Sequence, residues 1–426
     1  MMKKAVLITS LMLFSMFFGA GNLIFPPMLG FSAGTNYLPA ILGFLATGVL
    51  LPVLALIAVV VSGESVRDMA SRGGKVFGLL FPIAAYLSIG AFYALPRTGA
   101  VSYSTAVGVD NALYSGIFNL IFFGVALGLS WNPNGIADKL GKWLTPILLA
   151  LIVVLVVLSL IKLDGTPGEP TSAYAVQPAG AGLLEGYMTM DAIAALAFGI
   201  VVIAAFKYQK VEKVRTATVA AALIAGILLA AVYLGLGSIG QIVTGEFGDG
   251  TAILNHAAAS TMGEIGRIIF VAILILACMT TAVGLIGATS EFFNSLLPGI
   301  SYHVWAVVFS LISFGVATMG LDTVLSIAAP VINFIYPSAI TLVFLTLIEP
   351  LLFRFKWTYL LGIWTAVAWA LLLAVPALVP YVEWAPLHEM SLGWAVPVLI
   401  ASAIGLVIDG NKKRSRTVAQ KESISV

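Results

Sequence analysis

The sequence has little charge, one cysteine and three histidines, and these shortages exclude several classes of protein. Asp, Glu, Lys and Arg make up 9% of the 426 residues, whereas a soluble domain carries about 25%. Cys278 alone cannot form an intrachain disulfide or a cysteine-rich metal site, and the histidines lack the spacing of metal ligands. No basic face lies outside the short connections, so nucleic-acid binding is not expected. Phosphate loops, His-Glu metal motifs and nucleophile-base pairs are also missing, so we predict no enzyme.

Long apolar runs dominate what is present. Hydrophobic residues make up 60% of the sequence, and the mean hydropathy is +1.07. The runs are continuous over about 20 residues, which is typical of membrane helices and not of barrel strands. We therefore predict an all-α integral membrane protein with twelve transmembrane helices. The predicted spans are 5–32, 37–62, 76–108, 112–130, 143–163, 183–206, 215–240, 265–296, 303–319, 322–348, 357–380 and 391–409.

The basic residues indicate how these spans are oriented. All but three of the 21 Lys and Arg residues lie in alternate connections and at the two ends of the chain. The exceptions are Arg97, Lys162 and Arg267. Because short cytoplasmic loops are enriched in Lys and Arg, both termini are predicted to face the cytoplasm.

The stretch FFGAGNLIFPP, residues 17–27, interrupts the first span. Gly19, Gly21 and Asn22 disfavour a continuous helix, and a break in hydrocarbon is tolerated only where protein covers it or a cavity adjoins it. We expect unwinding from Gly19 to Asn22 and a new half-helix from near Leu23, with the two prolines in its first turn. Close helix packing through small residues is an alternative explanation of the glycines.

A second break is predicted in span six, GYMTMDAIAALAFGIVVIAAF, between Ala194 and Gly199. At a rise of about 1.5 Å per residue, both breaks fall near the middle of the membrane. Transporters built from inverted repeats carry paired breaks in corresponding helices. The breaks in spans one and six, five spans apart, are therefore predicted to be such a pair.

Four segments resemble the branched-chain amino acid:cation symporter family: GAGNLIFPP, EGYMTMDAIAALAFGIVV, PRTGAVSY and TTAVGL. That family is similar in architecture to the sodium-coupled leucine transporter fold, which implies five helices, five inverted helices with spans one and six broken, and two extra helices. The resemblance implies a first repeat at 1–163, a second at 164–348, two additional spans at 349–409 and a cytoplasmic tail at 410–426. It also implies sodium-coupled import of leucine, isoleucine and valine across the bacterial cytoplasmic membrane by alternating access.

The substrate site is expected at the two breaks. The N-terminus of a half-helix attracts a carboxylate, the carbonyls freed near Ala192 to Ala195 should accept from the ammonium, and Phe198 should close an apolar pocket. The predicted substrate-binding residues are Ala20, Gly21, Asn22, Leu23, Ala192, Ala194, Ala195, Phe198 and Gly199.

Span eight supplies two hydroxyls, Thr280 and Thr281, and oxygen is the ligand that hard cations prefer. The resemblance implies that they share a sodium ion with carbonyls of the first span and of their own span. The implied sodium ligands are Ser15, Phe18, Ala277, Thr280 and Thr281. Alternatively, both threonines bond back to their own helix, and a proton or lithium stays open as the coupling ion.

Arg97 lies within span three, where a charge is costly and usually paired. Asp191 is the natural partner and Asp322 a second candidate; the Arg97–Asp191 pair would form either an outer gate or a static ion pair. Glu291, near the inner end of span eight, is interpreted as a structural partner of inner-loop cations, with an inner gate or a proton site as the alternatives.

Two other functions stay open. A channel or a multi-span membrane enzyme would need filter-like loops or convergent titratable groups, which the sequence does not show. A proton-coupled carrier of another small apolar amino acid is the nearer alternative. The lipid bilayer and the small-molecule substrate are the expected partners, with no obligatory protein partner.

Overall fold

The computed structural model describes residues 2–109, 111–388 and 391–424, and all regular structure within them is helical. The prediction of an all-α protein is therefore confirmed. The α-helices are α1 (Met2–Phe17), α2 (Ala20–Ala33), α3 (Tyr37–Leu45), α4 (Leu51–Ser62), α5 (Val66–Ala70), α6 (Lys75–Leu87), α7 (Ala94–Ala106), α8 (Ala112–Ser130), α9 (Ile136–Lys139), α10 (Thr145–Lys162), α11 (Ser172–Val176), α12 (Pro178–Met188), α13 (Asp191–Tyr208), α14 (Val214–Ile242), α15 (Gly250–Leu296), α16 (Tyr302–Ala317), α17 (Leu321–Ile348), α18 (Trp357–Ala374) and α19 (Ala395–Ile424).

Most of these helices are long and apolar enough to cross a membrane. Within the described ranges, nine continuous helical segments meet that length and composition, and Tyr302–Ala317 and Ala395–Asn411 are shorter apolar helices. Every predicted span falls on one or more helices, and span four matches α8 to the residue. The number of crossings stays a prediction.

Three long helical segments contain a π-helical turn, which places one extra residue in the turn and re-aims the side chains around it. These turns are Ala46–Leu50, Ser88–Phe92 and Leu140–Leu144. α15 is also divided, because Gly263 has φ 63° and ψ −143°. The residues before Gly263 form the short helical cap that precedes span eight.

The chain divides into two compact units. One contains Met1–Leu56 and Tyr86–Ala328, and the other contains Ile57–Ala85 and Ala329–Val426. Both helix breaks lie in the first unit. In the second unit α18 packs along α19, and Asp409 accepts the N–H groups of Lys356, Trp357 and Thr358, which caps the start of α18.

The first break lies where the glycines predict it, but it is shorter than expected. α1 ends at Phe17 and α2 begins at Ala20, with Gly19 in an extended conformation between them. The half-helix therefore begins three residues before Leu23. Pro26 and Pro27 lie inside it rather than in its first turn, so α2 lacks two N–H donors of its ladder.

The second break lies elsewhere than predicted. α12 ends at Met188 and α13 runs without interruption from Asp191 to Tyr208. The prediction of a break from Ala194 to Gly199 is wrong, because those residues are helical. The chain turns instead at Met190, whose φ of 66° and ψ of 12° are left-handed.

Close backbone packing fixes the half-helix α2 against α14. A Cβ atom on Gly30 would overlap the carbonyl oxygen of Gly237, and one on Gly240 would overlap that of Pro27. Only glycine permits this approach. The contact brings Tyr233 of α14 to Asn22 near the start of α2.

Candidate functional site

A small cavity with a volume of about 20 Å³ lies at the two breaks. Its wall combines the α1–α2 junction, the π-turn before α7 and the first turn of α7, the α12–α13 junction and the middle of α15. The sixteen lining residues are Met16, Phe17, Gly19, Ala20, Asn22, Ile89, Ala94, Arg97, Thr98, Thr189, Met190, Asp191, Ala194, Phe198, Thr281 and Leu285.

Asn22 connects the two breaks. Its side-chain oxygen accepts the N–H of Gly19 at 3.2 Å, which holds the turn into α2. Its amide nitrogen donates to Oδ2 of Asp191 at 2.6 Å and to the hydroxyl of Tyr233. Tyr233 in turn donates to the same Asp191 oxygen at 3.3 Å. One side chain therefore orients the carboxylate at the start of α13.

Arg97 extends from α7 into the same cavity and is 6% exposed. Its Nη1 donates to the hydroxyl of Tyr93 at 2.6 Å, and the guanidinium carbon lies 4.6 Å from the centre of that ring. A Cβ atom on Gly21 would lie 2.8 Å from Nη2, so the guanidinium reaches the first turn of α2. Its buried Nε has no hydrogen-bond partner among the described residues.

The ion-pair prediction for Arg97 is wrong within the part of the chain that the structure describes. Arg97 and Asp191 both line the cavity, but Arg97 bonds to Tyr93 whereas Asp191 bonds to Asn22 and Tyr233. Neutral side chains therefore hydrogen-bond to both charged groups. The Asp322 side chain lies outside the described residues.

The two threonines of α15 bond to the end of α1. Thr280 donates to the carbonyls of Ser15 at 2.9 Å and Ala277 at 3.0 Å. Thr281 has the carbonyls of Ser15 and Met16 within reach, at 3.3 and 3.1 Å. Thr280 therefore bonds in part to its own helix, as the alternative interpretation expects. The hydrogen bonds of Thr281 go to α1 instead.

The contact between α1 and α15 contains more oxygen acceptors than hydrogen-bond donors. Two hydroxyl protons serve the three carbonyls and two hydroxyl oxygens, at the C-terminal end of α1, where the helix dipole is negative. The carbonyl of Met16 was not predicted, whereas that of Phe18, the third predicted carbonyl, makes no hydrogen bond to either threonine among the described residues. The Phe18 ring instead stacks on Phe14, with centroids 5.4 Å apart, and lies 6.3 Å from the Tyr233 ring.

The remaining wall is apolar. Phe17 and Phe198 contact each other across the cavity with ring centroids 5.5 Å apart. Ile89 on the π-turn and Leu285 on α15 complete this side. The cavity wall thus combines charged and polar side chains with an apolar surface.

The structure brings together only part of the predicted site. Among the predicted substrate and gate residues, Ala20, Asn22, Ala194, Phe198, Arg97 and Asp191 line the cavity. The others, Gly21, Leu23, Ala192, Ala195, Gly199 and Glu291, are absent from its wall. The carbonyls of Ala192 to Ala195 lie within α13, so they are not freed by unwinding. Glu291 forms no ion pair in the described ranges, contrary to its interpretation as a partner of inner-loop cations.

Several residues of the site were not predicted. Tyr93 and Tyr233 hold the two charges, and Thr189 and Met190 form the second break. Asp191 close after Thr189 is a typical helix-start pattern, and it could have located that break. Nothing local indicates Tyr233, which lies on another helix.

Known proteins resemble this chain along its whole length. The chain is 85% identical to the branched-chain amino acid permease BrnQ of Corynebacterium glutamicum over 426 residues, all of both chains. It is 36% identical to the permease BraB of Bacillus subtilis, covering 95% of each chain. It is also 36% identical to the branched-chain amino acid transport system 2 carrier protein of Pseudomonas aeruginosa, covering 93% of this chain and 94% of that one.

A solved structure shows a similar fold. It is that of Mhp1, a nucleobase-cation-symport-1 family transporter, in a closed conformation with bromovinylhydantoin bound. The TM-score is 0.58 at 16% identity, over 94% of this chain and 91% of Mhp1. At this identity the likeness concerns the fold alone.

A family profile settles the assignment and confirms both the predicted family and the expectation that the chain is no enzyme. The profile described as branched-chain amino acid transport protein matches residues 2–412. This chain belongs to the branched-chain amino acid transport protein family, a family of membrane permeases.

Proposed function

We propose that this protein is a symporter that imports leucine, isoleucine and valine with sodium. The observation that carries the proposal is the convergence of both helix breaks and Thr281 on one cavity. The relatives named above are branched-chain amino acid permeases and carriers, which supports the choice of substrate. The spans, repeats and cytoplasmic termini predicted from the sequence complete the proposal.

The polar and the apolar residues of the cavity wall suit the two parts of a branched-chain amino acid. Phe17, Phe198 and Leu285 offer an apolar surface to a side chain that forms no hydrogen bond. The first N–H groups of α2 lack helical partners and favour an anion. The carboxylate would lie at that end and the branched side chain against the two rings.

The residues at the α1–α15 contact fit a sodium ion. The ligands would be the carbonyls of Ser15 and Ala277 with the hydroxyls of Thr280 and Thr281, and Met16 offers a further carbonyl. All are neutral oxygens, which suit a hard monovalent cation. No group of three His, Cys, Asp or Glu residues suited to a metal occurs among the described residues.

The two sites are close enough to be coupled. Thr281 contacts the carbonyls of α1, and a Cβ atom on Gly19 would lie 2.8 Å from its hydroxyl. An ion at Thr281 would therefore fix the α1–α2 junction in one geometry and favour the state that binds substrate. Release of the ion would loosen the same junction, as alternating access requires.

The test is accumulation of radiolabelled leucine in proteoliposomes under an inward sodium gradient, with an inward proton gradient at equal sodium as the comparison. The proposal predicts accumulation above equilibrium with sodium and none with the proton gradient alone. Accumulation driven equally well by protons in the absence of sodium would contradict the sodium part. Absence of leucine uptake under every gradient would contradict the substrate part.

One observation favours a second candidate, proton coupling. Asp191 is a carboxylate, 4% exposed, that lines the cavity, and buried acids serve as proton sites in carriers. Under that candidate Asp191→Asn would abolish gradient-driven accumulation but keep leucine counterflow. Under the sodium proposal the variant would weaken leucine binding and leave its sodium dependence in place.

A further inference from the structure

Arg97 and Asp191 are two buried charges in one cavity, and neither neutralises the other by direct contact. Arg97 is 6% exposed and Asp191 4% exposed. A buried charge is costly unless it is paired and fully hydrogen-bonded. Among the described residues, both charges have only neutral hydrogen-bonding partners.

Each of the two charged groups keeps hydrogen-bonding capacity on one side. Arg97 donates through Nη1 alone, and its Nη2 and buried Nε have no hydrogen-bond partner in the described part of the chain. Asp191 accepts two hydrogen bonds, both at Oδ2, from Asn22 and Tyr233. The Thr189 hydroxyl lies next to the same residue, and no cationic side chain among the described residues bonds to Oδ1.

We propose that Arg97 binds the carboxylate of the substrate and Asp191 binds its ammonium, so that the pair recognises the zwitterion. This rests on the proposed function and replaces the predicted roles of both residues as a gate. A guanidinium offers parallel N–H donors that match a carboxylate. The Nη2 atom of Arg97 lies against Gly21. The guanidinium and the positive end of α2 would therefore act on the same anion.

The ammonium follows from the geometry around Asp191. Asn22 and Tyr233 hold Oδ2 and thereby fix the plane of the carboxylate, leaving Oδ1 to accept from a cation in the cavity. The predicted acceptors, the carbonyls of Ala192 to Ala195, are part of α13. Asp191 is therefore the better acceptor for the ammonium.

This pairing predicts which ligands the cavity rejects. A branched amine without a carboxylate would leave Arg97 buried and uncompensated, and a branched acid without an amine would do the same to Asp191. A hydrogen bond to a charged group contributes enough to change affinity by roughly 10- to 100-fold. The parent protein should bind 3-methylbutylamine and 4-methylpentanoate more weakly than leucine by about that factor.

The experiment measures equilibrium binding of these three probes to the purified full chain, for the parent, Arg97→Gln and Asp191→Asn. Arg97→Gln should weaken leucine about 10- to 100-fold and leave 3-methylbutylamine unchanged, because that amine has no carboxylate to lose. Asp191→Asn should weaken leucine by a similar factor and leave 4-methylpentanoate unchanged. Arg97→Lys should recover part of the leucine affinity.

Arg267→Gln is the matched control, since Arg267 is an exposed arginine paired with Glu264, and it should bind all three probes like the parent. Equal weakening of every probe by the cavity variants would indicate a merely structural role and overturn the inference. So would unchanged leucine binding. The inference would also be overturned if the parent protein bound either analogue with an affinity within about threefold of its affinity for leucine. If the parent protein bound no leucine, the proposed function itself would be overturned.

Discussion

The side-chain amide of Asn22 connects the two helix breaks. Its oxygen holds Gly19 and its nitrogen holds Asp191 and Tyr233, so it joins the two breaks through a single rigid group. An isosteric leucine would keep the volume but leave the Asp191 carboxylate without its closest donor. The break in span one therefore needs the asparagine as well as the glycines.

The two glycines of the motif make a paired prediction. A Cβ atom on Gly19 would lie 2.8 Å from the Thr281 hydroxyl, and one on Gly21 would lie 2.8 Å from Nη2 of Arg97. We expect Gly19→Ala to raise the sodium concentration for half-maximal uptake and Gly21→Ala to raise the KM for leucine, each by on the order of 10-fold. Uptake measured against sodium and against leucine separates the two.

Each variant is the control for the other, because both add the same methyl group two residues apart. Identical changes in both parameters for both variants would contradict the assignment of Gly19 to the ion and Gly21 to the substrate. Gly116 offers a further control, since a Cβ atom there would meet no atom within 4 Å; Gly116→Ala should leave both parameters unchanged.

At this scale the sequence predicts some contacts and misses others for a clear reason. The glycines and Asn22 are adjacent in sequence, so their pattern indicates the break directly. Thr280 and Thr281 were placed by the family resemblance, and the structure puts them against Ser15. Tyr233 lies 211 residues from Asn22, and no local pattern predicts a partner at that distance.

At the scale of elements, hydropathy locates the spans but not the breaks within them. The sequence pattern predicts the second break between Ala194 and Gly199, because glycine is the usual residue where a helix is interrupted. The chain instead uses a left-handed Met190 with Thr189 before it and Asp191 after it. A left-handed methionine is rare, so residue preference points away from the position that turns.

The backbone at Met190 makes a prediction about stability. Left-handed geometry disfavours side chains branched at Cβ, so Met190→Ile should destabilise the protein by about 1–3 kcal/mol relative to Met190→Leu. Thermal unfolding in detergent, followed by tryptophan fluorescence, measures the difference. Equal melting temperatures for the two variants would contradict the left-handed turn at this residue.

At the scale of the whole molecule, the distribution of basic residues predicts orientation. Glu212, between α13 and α14, should face the cytoplasm, and Glu169, between α10 and α11, should face the outside; both are exposed. In a Cys278→Ala background, a membrane-impermeant maleimide should label Glu169→Cys in intact cells. It should label Glu212→Cys only after the membranes are opened. The opposite pattern would contradict the predicted orientation.

Composition and periodicity were sufficient for the fold class because membrane helices must satisfy their own backbone, which leaves long apolar runs in the sequence. The cavity was harder, because its wall comes from four separate regions of the chain and the partners of Asp191 lie on α2 and α14. For Thr280 and Thr281, the family resemblance supplied the relation to the first span that no local sequence pattern indicates.

The central claim is that the ion site at Thr281 and the amino-acid cavity act as one unit. The most direct measurement is sodium-driven leucine accumulation by the parent, Thr281→Ala and Thr289→Ala, a buried threonine on the same helix whose hydroxyl has no partner among the described residues. We predict that Thr281→Ala loses sodium-driven accumulation but retains leucine counterflow, while Thr289→Ala resembles the parent. Full sodium-driven accumulation by Thr281→Ala would contradict the account.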